Sequence, residues 1–360
     1  MSSEEKKQKT IKLPIILSLT LSIIIIILIL YFTIDENTIN TLLSAKNIKI
    51  EFLLFAFFLN LCYWILWGIR MRILANAMDK NLKLNILGST KIVIANLFLA
   101  AITPSMAGGE PVRIYLLSKE GMNFGSATAT VLGERLLDAI LVLIMVPFAF
   151  IIVKDLPGIQ KYPEISLALL IGVVIFILLL CLFIYAILRP EKTKNFVVII
   201  NKKLSRFSKK KESGIKTIER ISREVDNFSN SMKCFAGEKR ALVTSSFITV
   251  IFWSTGFFIP SFILMGLGLP PYFIESFAAQ ILLLVIIMMP TTPGSAGVAE
   301  GVIWIIYGLI IGQYNPLLGV FILIFRFITF HMNIIIGAIF MQRIFKSVAS
   351  FSMDMIKKKE

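Results

Sequence analysis

Long apolar runs restrict this chain to very few architectures. Residues 13–32 alone match the roughly 20 residues that a helix needs to cross a hydrocarbon core, and residues 23–27 are all isoleucine, without the alternation of a transmembrane strand. The chain has 360 residues, of which 57% are hydrophobic, and a mean hydropathy of +0.83. These values predict an all-α polytopic membrane protein rather than a soluble globule.

The charge distribution predicts how the apolar segments cross the membrane. Basic residues concentrate in the N-terminal tail, in a loop at 70–85 that includes Arg70, in the 189–240 segment and in the C-terminal tail. Loops rich in Lys and Arg stay cytoplasmic, so we expect all four regions, and both termini, on the cytoplasmic side. The net charge of +15 therefore indicates that the basic loops face a negatively charged leaflet and do not bind a nucleic acid.

Six full spans and two re-entrant hairpins satisfy this distribution. The predicted spans are 13–33, 51–69, 124–153, 165–188, 241–266 and 317–343, and the predicted hairpins are 86–117 and 273–312. Each half of the chain then contains two spans, a hairpin and a third span, and the two halves have opposite orientations. Inverted repeats of this kind are common in transporters, whose binding site lies near the bilayer midplane.

The predicted domains follow from this arrangement. They are a cytoplasmic tail at 1–12, a first membrane half at 13–153, a second membrane half at 154–188 and 241–345, a basic cytoplasmic insert at 189–240 and a second tail at 346–360. Apolar residues recur at three- or four-residue steps within the insert. This pattern favours either an amphipathic helix on the inner leaflet or a solvated arm.

Two polar, glycine-containing stretches interrupt the predicted hairpins and resemble each other. Their break-forming residues are Pro104, Gly108 and Gly109 in the first and Pro293, Gly294, Ser295 and Gly297 in the second. Non-helical backbone cannot face lipid, so each break should be buried or line a wet cavity. We expect Glu110 and Pro111 to open one new helix and Ser295 to cap the other, which would present two N-termini to an anion. A kinked packing interface is the alternative.

Each break ends in a carboxylate, and an arginine follows about 25 residues later. Glu110 precedes Arg135, and Glu300 precedes Arg326. Because charges inside a membrane are costly, we expect them to be paired. Arg135 is predicted to pair with Glu110 or with Asp138, and Arg326 with Glu300.

Further polar residues extend this set. Glu134 and Asp138 share one helix face, and Arg113 is predicted either to line a cavity or to extend towards the interface. The single histidine, His331, is predicted to be a proton relay or a helix-packing residue. The predicted headgroup-contacting residues are Glu110, Arg113, Glu134, Arg135, Asp138, Glu300 and Arg326. Structural ion pairs that fix helix register are the alternative.

No catalytic or cofactor-binding motif is recognisable in the sequence. There is no Walker sequence, no nucleotide-binding glycine loop and no nucleophile–base pair. The three cysteines, Cys62, Cys181 and Cys234, are far apart and indicate neither a disulfide framework nor a metal site. We therefore expect no enzyme activity, no cofactor, no metal and no ATP-driven transport by this chain alone.

The two broken stretches carry a family resemblance. The string from Pro104 to Leu117, with Glu134, Arg135 and Asp138, resembles the membrane region of lysylphosphatidylglycerol synthases. So do Pro290, the string from Pro293 to Val298, and Glu300. The resemblance covers about residues 10–345 and implies a stand-alone, flippase-like multi-pass protein. Gly109 and Pro111 make the first string more rigid than the usual pattern of the family, which leaves the headgroup open.

The resemblance also bears on activity. In two-domain relatives, a soluble aminoacyltransferase domain follows the membrane region and makes a modified lipid, which the membrane region is associated with moving to the outer leaflet. This chain ends at Glu360, so the synthase activity is not expected here.

Two functions remain open from the sequence. The first is a lipid translocase of the cell membrane that moves an anionic or headgroup-modified polar lipid through a polar midplane cavity. The second is a membrane scaffold that recruits a separate lipid-modifying enzyme through the 189–240 insert. Membrane lipids are the expected partners in the first case and that enzyme in the second, and neither involves a nucleic acid. The sequence leaves the oligomeric state, the transport direction and the energy source open.

Overall fold

The computed structural model describes residue 40 and residues 48–103, 108–154, 163–189, 192, 237–287, 297–312 and 315–340. All regular secondary structure in these ranges is helical. The helices are α1 (Ile50–Met78), α2 (Ile86–Ile102), α3 (Gly109–Lys119), α4 (Phe124–Lys154), α5 (Pro163–Leu188), α6 (Lys239–Gly266), α7 (Phe273–Ile287), α8 (Val298–Ile311) and α9 (Leu318–Arg326). A π-helical turn at Phe327–His331 continues α9, and the combined helix is described as far as Phe340.

Four of the predicted spans are confirmed as helices long and apolar enough to cross a membrane. They are α1, α4, α6 and the combined helix Leu318–Phe340, with mean hydropathies from 1.9 to 2.9. A fifth predicted span, 165–188, coincides with the helix α5. The sixth, 13–33, lies outside the described residues, as does most of the 189–240 insert. The six-span, two-half architecture therefore stays a prediction.

The four helices of the two broken segments are shorter. They contain 17 residues in α2, 11 in α3, 15 in α7 and 14 in α8. Even α2 is only about 25 Å long, less than the hydrocarbon core of about 30 Å.

Within each broken segment the two helices pack against each other. A Cβ added to Gly109 at the start of α3 would lie 2.5 Å from Asn96 Oδ1 of α2, so α3 begins beside the last turns of α2. In the second segment, Gln280 of α7 donates a hydrogen bond to the Tyr307 hydroxyl of α8 at 3.0 Å. These contacts form two helix pairs, and their re-entry into the membrane stays a prediction.

Helices α1 and α6 pack along each other. The rings of Tyr63 and Phe252 stack with centroids 4.3 Å apart. Gly256 and Gly266 of α6 lie directly against Tyr63 and Leu53 of α1. Since a glycine has no side chain to separate two helices, α1 and α6 approach closely at both points.

The exterior of the described residues is strongly apolar. Large side chains such as Leu54, Phe58, Phe148 and Leu178 are more than half exposed. An exposed apolar surface of this kind would cause aggregation in water and is suited to lipid. Several charged side chains, among them Arg70, Glu134 and Asp138, are buried instead.

One predicted loop boundary was wrong. The loop expected at 70–85 begins only after Met78, because α1 continues nine residues beyond the predicted span end at 69. Trp67, Arg70, Met71 and Leu74 are all buried and recur at three- and four-residue steps, which is the spacing of one helix face. Arg70 therefore belongs to a membrane helix and not to a cytoplasmic loop.

Candidate functional site

Arg70 is the centre of a buried charge cluster. Its side chain has 0% exposure, and its Nε donates to Glu134 Oε1 of α4 at 3.2 Å. Its Nη1 donates to Asp138 Oδ1 at 2.5 Å and to Thr249 Oγ1 of α6 at 3.2 Å. The guanidinium also lies over the Phe252 ring, 4.8 Å from its centroid. This one side chain therefore connects α1, α4 and α6.

Sequence reasoning missed this role for Arg70, although two signals were present. The apolar periodicity of α1 continues through Arg70. Glu134 and Asp138 share one helix face, and two buried carboxylates require cationic partners.

Arg113 of α3 holds the other side of Glu134. Its Nη1 donates to Glu134 Oε2 at 2.5 Å, and its guanidinium lies 5.3 Å from the centroid of the Trp67 ring. The side chain has 0% exposure, because its helix buries Val112, Leu116 and Leu117 as well. The alternative in which Arg113 extends towards the interface is therefore wrong, and Glu134 lies between two arginines.

Arg135 pairs with Glu110, which was one of its two predicted partners. Its Nε and Nη2 donate to Glu110 Oε1 at 2.9 and 2.5 Å. The other predicted partner, Asp138, is also close, with Oδ2 3.8 Å from Arg135 Nη1, and it accepts a hydrogen bond from Trp253 Nε1 at 2.8 Å. The Arg135 and Glu110 side chains are 27% and 33% exposed. This pair is therefore the accessible end of the cluster.

The start of α3 differs slightly from the prediction. The helix begins at Gly109 and not at Glu110 and Pro111, and the Glu110 carboxylate binds Arg135. The Gly108 N–H donates to Thr103 Oγ1 at 2.9 Å, and that hydroxyl donates to Leu99 O at 2.7 Å. Thr103 thus joins the end of α2 to the start of α3. Pro104 lies outside the described residues.

The predicted pair of Arg326 and Glu300 also forms. Arg326 Nε donates to Glu300 Oε1 at 2.8 Å, and Glu300 Oε2 accepts the Gly297 N–H at 2.6 Å. Gly297 has a φ of +85°, a conformation that glycine adopts readily. Glu300 therefore caps its own helix and holds Arg326. The expected cap, Ser295, lies outside the described residues with Pro293 and Gly294.

His331 lies at the end of the π-helical turn. Its Nδ1 is 3.1 Å from the carbonyl oxygen of Arg326, five residues earlier. π-Helical turns often occur at functional sites. The contact joins the histidine to the backbone of its own helix.

The two broken segments hold matched ion pairs in different surroundings. In each, a carboxylate in the first turn of the second short helix binds an arginine on the following long helix. The first pair belongs to the charge cluster, which consists of Arg70, Arg113, Arg135, Glu110, Glu134 and Asp138. Its three positive and three negative charges balance. Within the described ranges, no group of His, Cys, Asp and Glu side chains is arranged to hold a metal ion.

The apolar exterior, the long apolar helices and the buried charge cluster define a multi-pass integral membrane protein. The family model described as the lysylphosphatidylglycerol synthase TM region matches residues 15–337. The chain belongs to this family, which confirms the resemblance seen in the two broken stretches.

Curated archaeal relatives share most of this length. A UPF0104 membrane protein of Archaeoglobus fulgidus is 34% identical over 292 residues, which cover 80% of this chain and 84% of the relative. One from Methanothermobacter thermautotrophicus is 28% identical over 265 residues, or 70% and 72% of the two chains. One from Pyrococcus horikoshii is 23% identical over 326 residues, or 88% and 93%. No solved structure matches the chain significantly.

Proposed function

We propose that this protein is a lipid translocase that moves an anionic or headgroup-modified polar lipid between the leaflets of the cell membrane. The observation that carries the proposal is the charge cluster itself. Burying an ion pair is often no more stabilising than burying apolar residues of the same size. Six charges inside a membrane protein are therefore poorly explained by stability and are typical of a polar substrate pathway.

The position of the cluster supports the same function. It lies where the start of α3 meets α1, α4 and α6, next to one of the two breaks. Broken helices at matched positions of two halves are the usual way in which transporters bind a polar group within the bilayer. The family membership adds support, since its name refers to enzymes that make a modified phospholipid.

In the proposed mechanism the headgroup enters beside Glu110 and Arg135, the accessible end of the cluster. The polar side chains replace water around the headgroup, while the acyl or isoprenoid chains stay in lipid. No covalent step, cofactor or metal is involved. Both termini and the 189–240 insert lie in the cytoplasm, as their basic charge requires.

Leaflet exchange in proteoliposomes tests this function. Fluorescent anionic and neutral lipids are incorporated, and their loss from the outer leaflet is followed by chemical quenching. We expect the wild-type protein to accelerate exchange of at least one polar lipid and Arg135→Gln to abolish it. Lys80→Gln is the charge-matched control, because the Lys80 side chain is 84% exposed and lies outside the cluster.

The outcome also separates the translocase from the scaffold. Exchange that requires Arg135 but survives deletion of residues 205–235 supports the translocase. Equal exchange by wild type and Arg135→Gln would reject the proposed pathway. Absence of exchange for every lipid, with folded protein, would favour the scaffold and direct the search to a partner enzyme.

A further inference from the structure

Two donor atoms of the Arg113 side chain have no hydrogen-bond partner. A guanidinium carries five N–H groups in a fixed plane, and in Arg113 the Nη1 atom donates to Glu134 Oε2. The Nε and Nη2 atoms are buried and have no hydrogen-bond partner. These two atoms form one edge of the guanidinium, the edge that binds two oxygen atoms of a carboxylate or phosphate side by side.

Glu134 and Asp138 cannot occupy this edge without losing partners that they already have, and Glu110 binds Arg135 through Oε1 instead. Glu134 accepts from Arg70 through Oε1 and from Arg113 through Oε2. Asp138 accepts from Arg70 through both oxygens and from Trp253. Buried charged donors without acceptors are strongly unfavourable, so the unpaired edge indicates an acceptor from outside the protein.

A second unpaired donor lies close by. The ring under the Arg113 guanidinium belongs to Trp67, whose Nε1 is also buried without a partner. Trp67 is on α1 and Arg113 on α3, so the two side chains in contact each carry buried donors without a partner. Groups that only donate suit an oxyanion better than a hydroxyl, which is both donor and acceptor.

The other arginines differ from Arg113. Arg135 uses its Nε and Nη2 on Glu110, and Arg70 uses all three nitrogens. Arg326 has an unpaired Nη2, but its Nε binds Glu300. Of the buried arginines in the described residues, Arg113 alone has this edge entirely unpaired.

We infer that the Nε and Nη2 edge of Arg113, with the Trp67 indole N–H, binds the oxyanion of the ligand, a phosphate group of a lipid or of free phosphate. This inference rests on the proposed function and narrows it. The headgroup contact lies in the first half of the chain, at Arg113, and Arg135 and Arg326 hold their carboxylates instead of the phosphate.

Binding to the purified full-length protein in an uncharged detergent tests the inference. The probes are dihexanoyl phosphatidylglycerol, inorganic phosphate and dihexanoylglycerol, which lacks the phosphate, and binding is measured by titration calorimetry. We expect the phospholipid to bind and dihexanoylglycerol not to bind. Tighter binding of the phospholipid than of phosphate identifies a lipid headgroup as the ligand, and equal binding identifies a free anion.

Substitutions of Arg113 and Trp67 test whether the Nε and Nη2 edge of Arg113 binds the ligand. Arg113→Gln and Arg113→Lys should each weaken phospholipid binding by roughly tenfold or more, since lysine keeps the charge but lacks the paired donors. Trp67→Phe removes the indole N–H, keeps an aromatic ring and should weaken binding several-fold. The control is Arg72→Gln, because Arg72 binds the Leu84 carbonyl and lies outside the cluster.

Unchanged binding by folded Arg113→Gln and Trp67→Phe would overturn the inference, and so would equal binding of dihexanoylglycerol. If Arg113→Gln does not fold, the Trp67→Phe result decides. Binding that depends on Arg113 without leaflet exchange would support the oxyanion site and reject translocation. Exchange that is unaffected by Arg113→Gln would support translocation and reject this site.

Discussion

Arg70 and Asp138 form a two-point ion pair, with Nη1 2.5 Å from Oδ1 and Nη2 3.3 Å from Oδ2. The two residues are 68 positions apart in the sequence, on α1 and α4. Asp138 also accepts from Trp253 on α6. Asp138 therefore connects three helices, α1 and α6 through hydrogen bonds and α4 as its own helix, on one side of the charge cluster.

Loss of Asp138 should destabilise the fold strongly. Asp138→Ala leaves Arg70 buried with a single carboxylate partner, and breaking a buried pair in this way costs about 3–5 kcal/mol. Denaturant unfolding in detergent, followed by tryptophan fluorescence, measures the change. Lys80→Ala removes an exposed pair with Glu238 and should cost less than about 1 kcal/mol. Similar losses in both variants would show that the buried pair contributes no more than a surface pair.

Gly68 should be essential for the packing of α1 on α2. A Cβ at this position would lie 2.6 Å from Thr90 Oγ1 and 2.9 Å from Thr90 N, so the helix backbones must move apart. Gly68→Ala should lower the free energy of unfolding by about 1–3 kcal/mol.

Gly301 of α8 provides the matched control for Gly68. A Cβ there meets nothing within 4 Å, and alanine favours a helix by up to about 1 kcal/mol. The temperature of thermal unfolding should therefore fall in Gly68→Ala and rise in Gly301→Ala. A common direction would contradict the close approach of α1 and α2.

The pair of Glu300 and Arg326 distinguishes a structural from a functional role. Glu300→Gln should reduce stability by roughly 3 kcal/mol, because Arg326 loses its charged partner. The double variant Glu300→Leu, Arg326→Met replaces the pair with apolar side chains and should recover much of that loss. Because the headgroup contact is placed at Arg113 and Arg326 holds Glu300, leaflet exchange should recover together with stability in the double variant. Exchange that stays low in a stable double variant would assign the pair a role in transport as well.

The predicted re-entrant hairpin at 86–117 has a direct topological test. Single cysteines at Asn81 and Glu120, in a background without Cys62, Cys181 and Cys234, should react with an impermeant maleimide from the same side of the membrane. Both native residues are exposed. A cysteine at Lys49, before α1, should react from the opposite side. Labelling of Asn81 and Glu120 from opposite sides would show a single crossing and refute the hairpin.

Much of the fold was predictable because membrane insertion is governed by local composition. The long helices α1, α4, α6 and Leu318–Phe340 follow from runs of apolar residues. The breaks at Gly108 and Gly297 follow from glycine and proline. The pairs of Glu110 with Arg135 and of Glu300 with Arg326 were predictable because a buried charge requires a partner and few candidates exist.

The tertiary structure alone decided how the charges are shared. The sequence determined the apolar helices, the two breaks and the matched pairs, since each depends on residues close together in the chain or repeated in the two broken segments. It placed Arg70 in a loop and left Arg113 between two roles. Only the packing of α1, α3, α4 and α6 brings both arginines to Glu134. Partners separated by 64 and 21 positions are set by how helices approach one another, and no local pattern encodes that geometry.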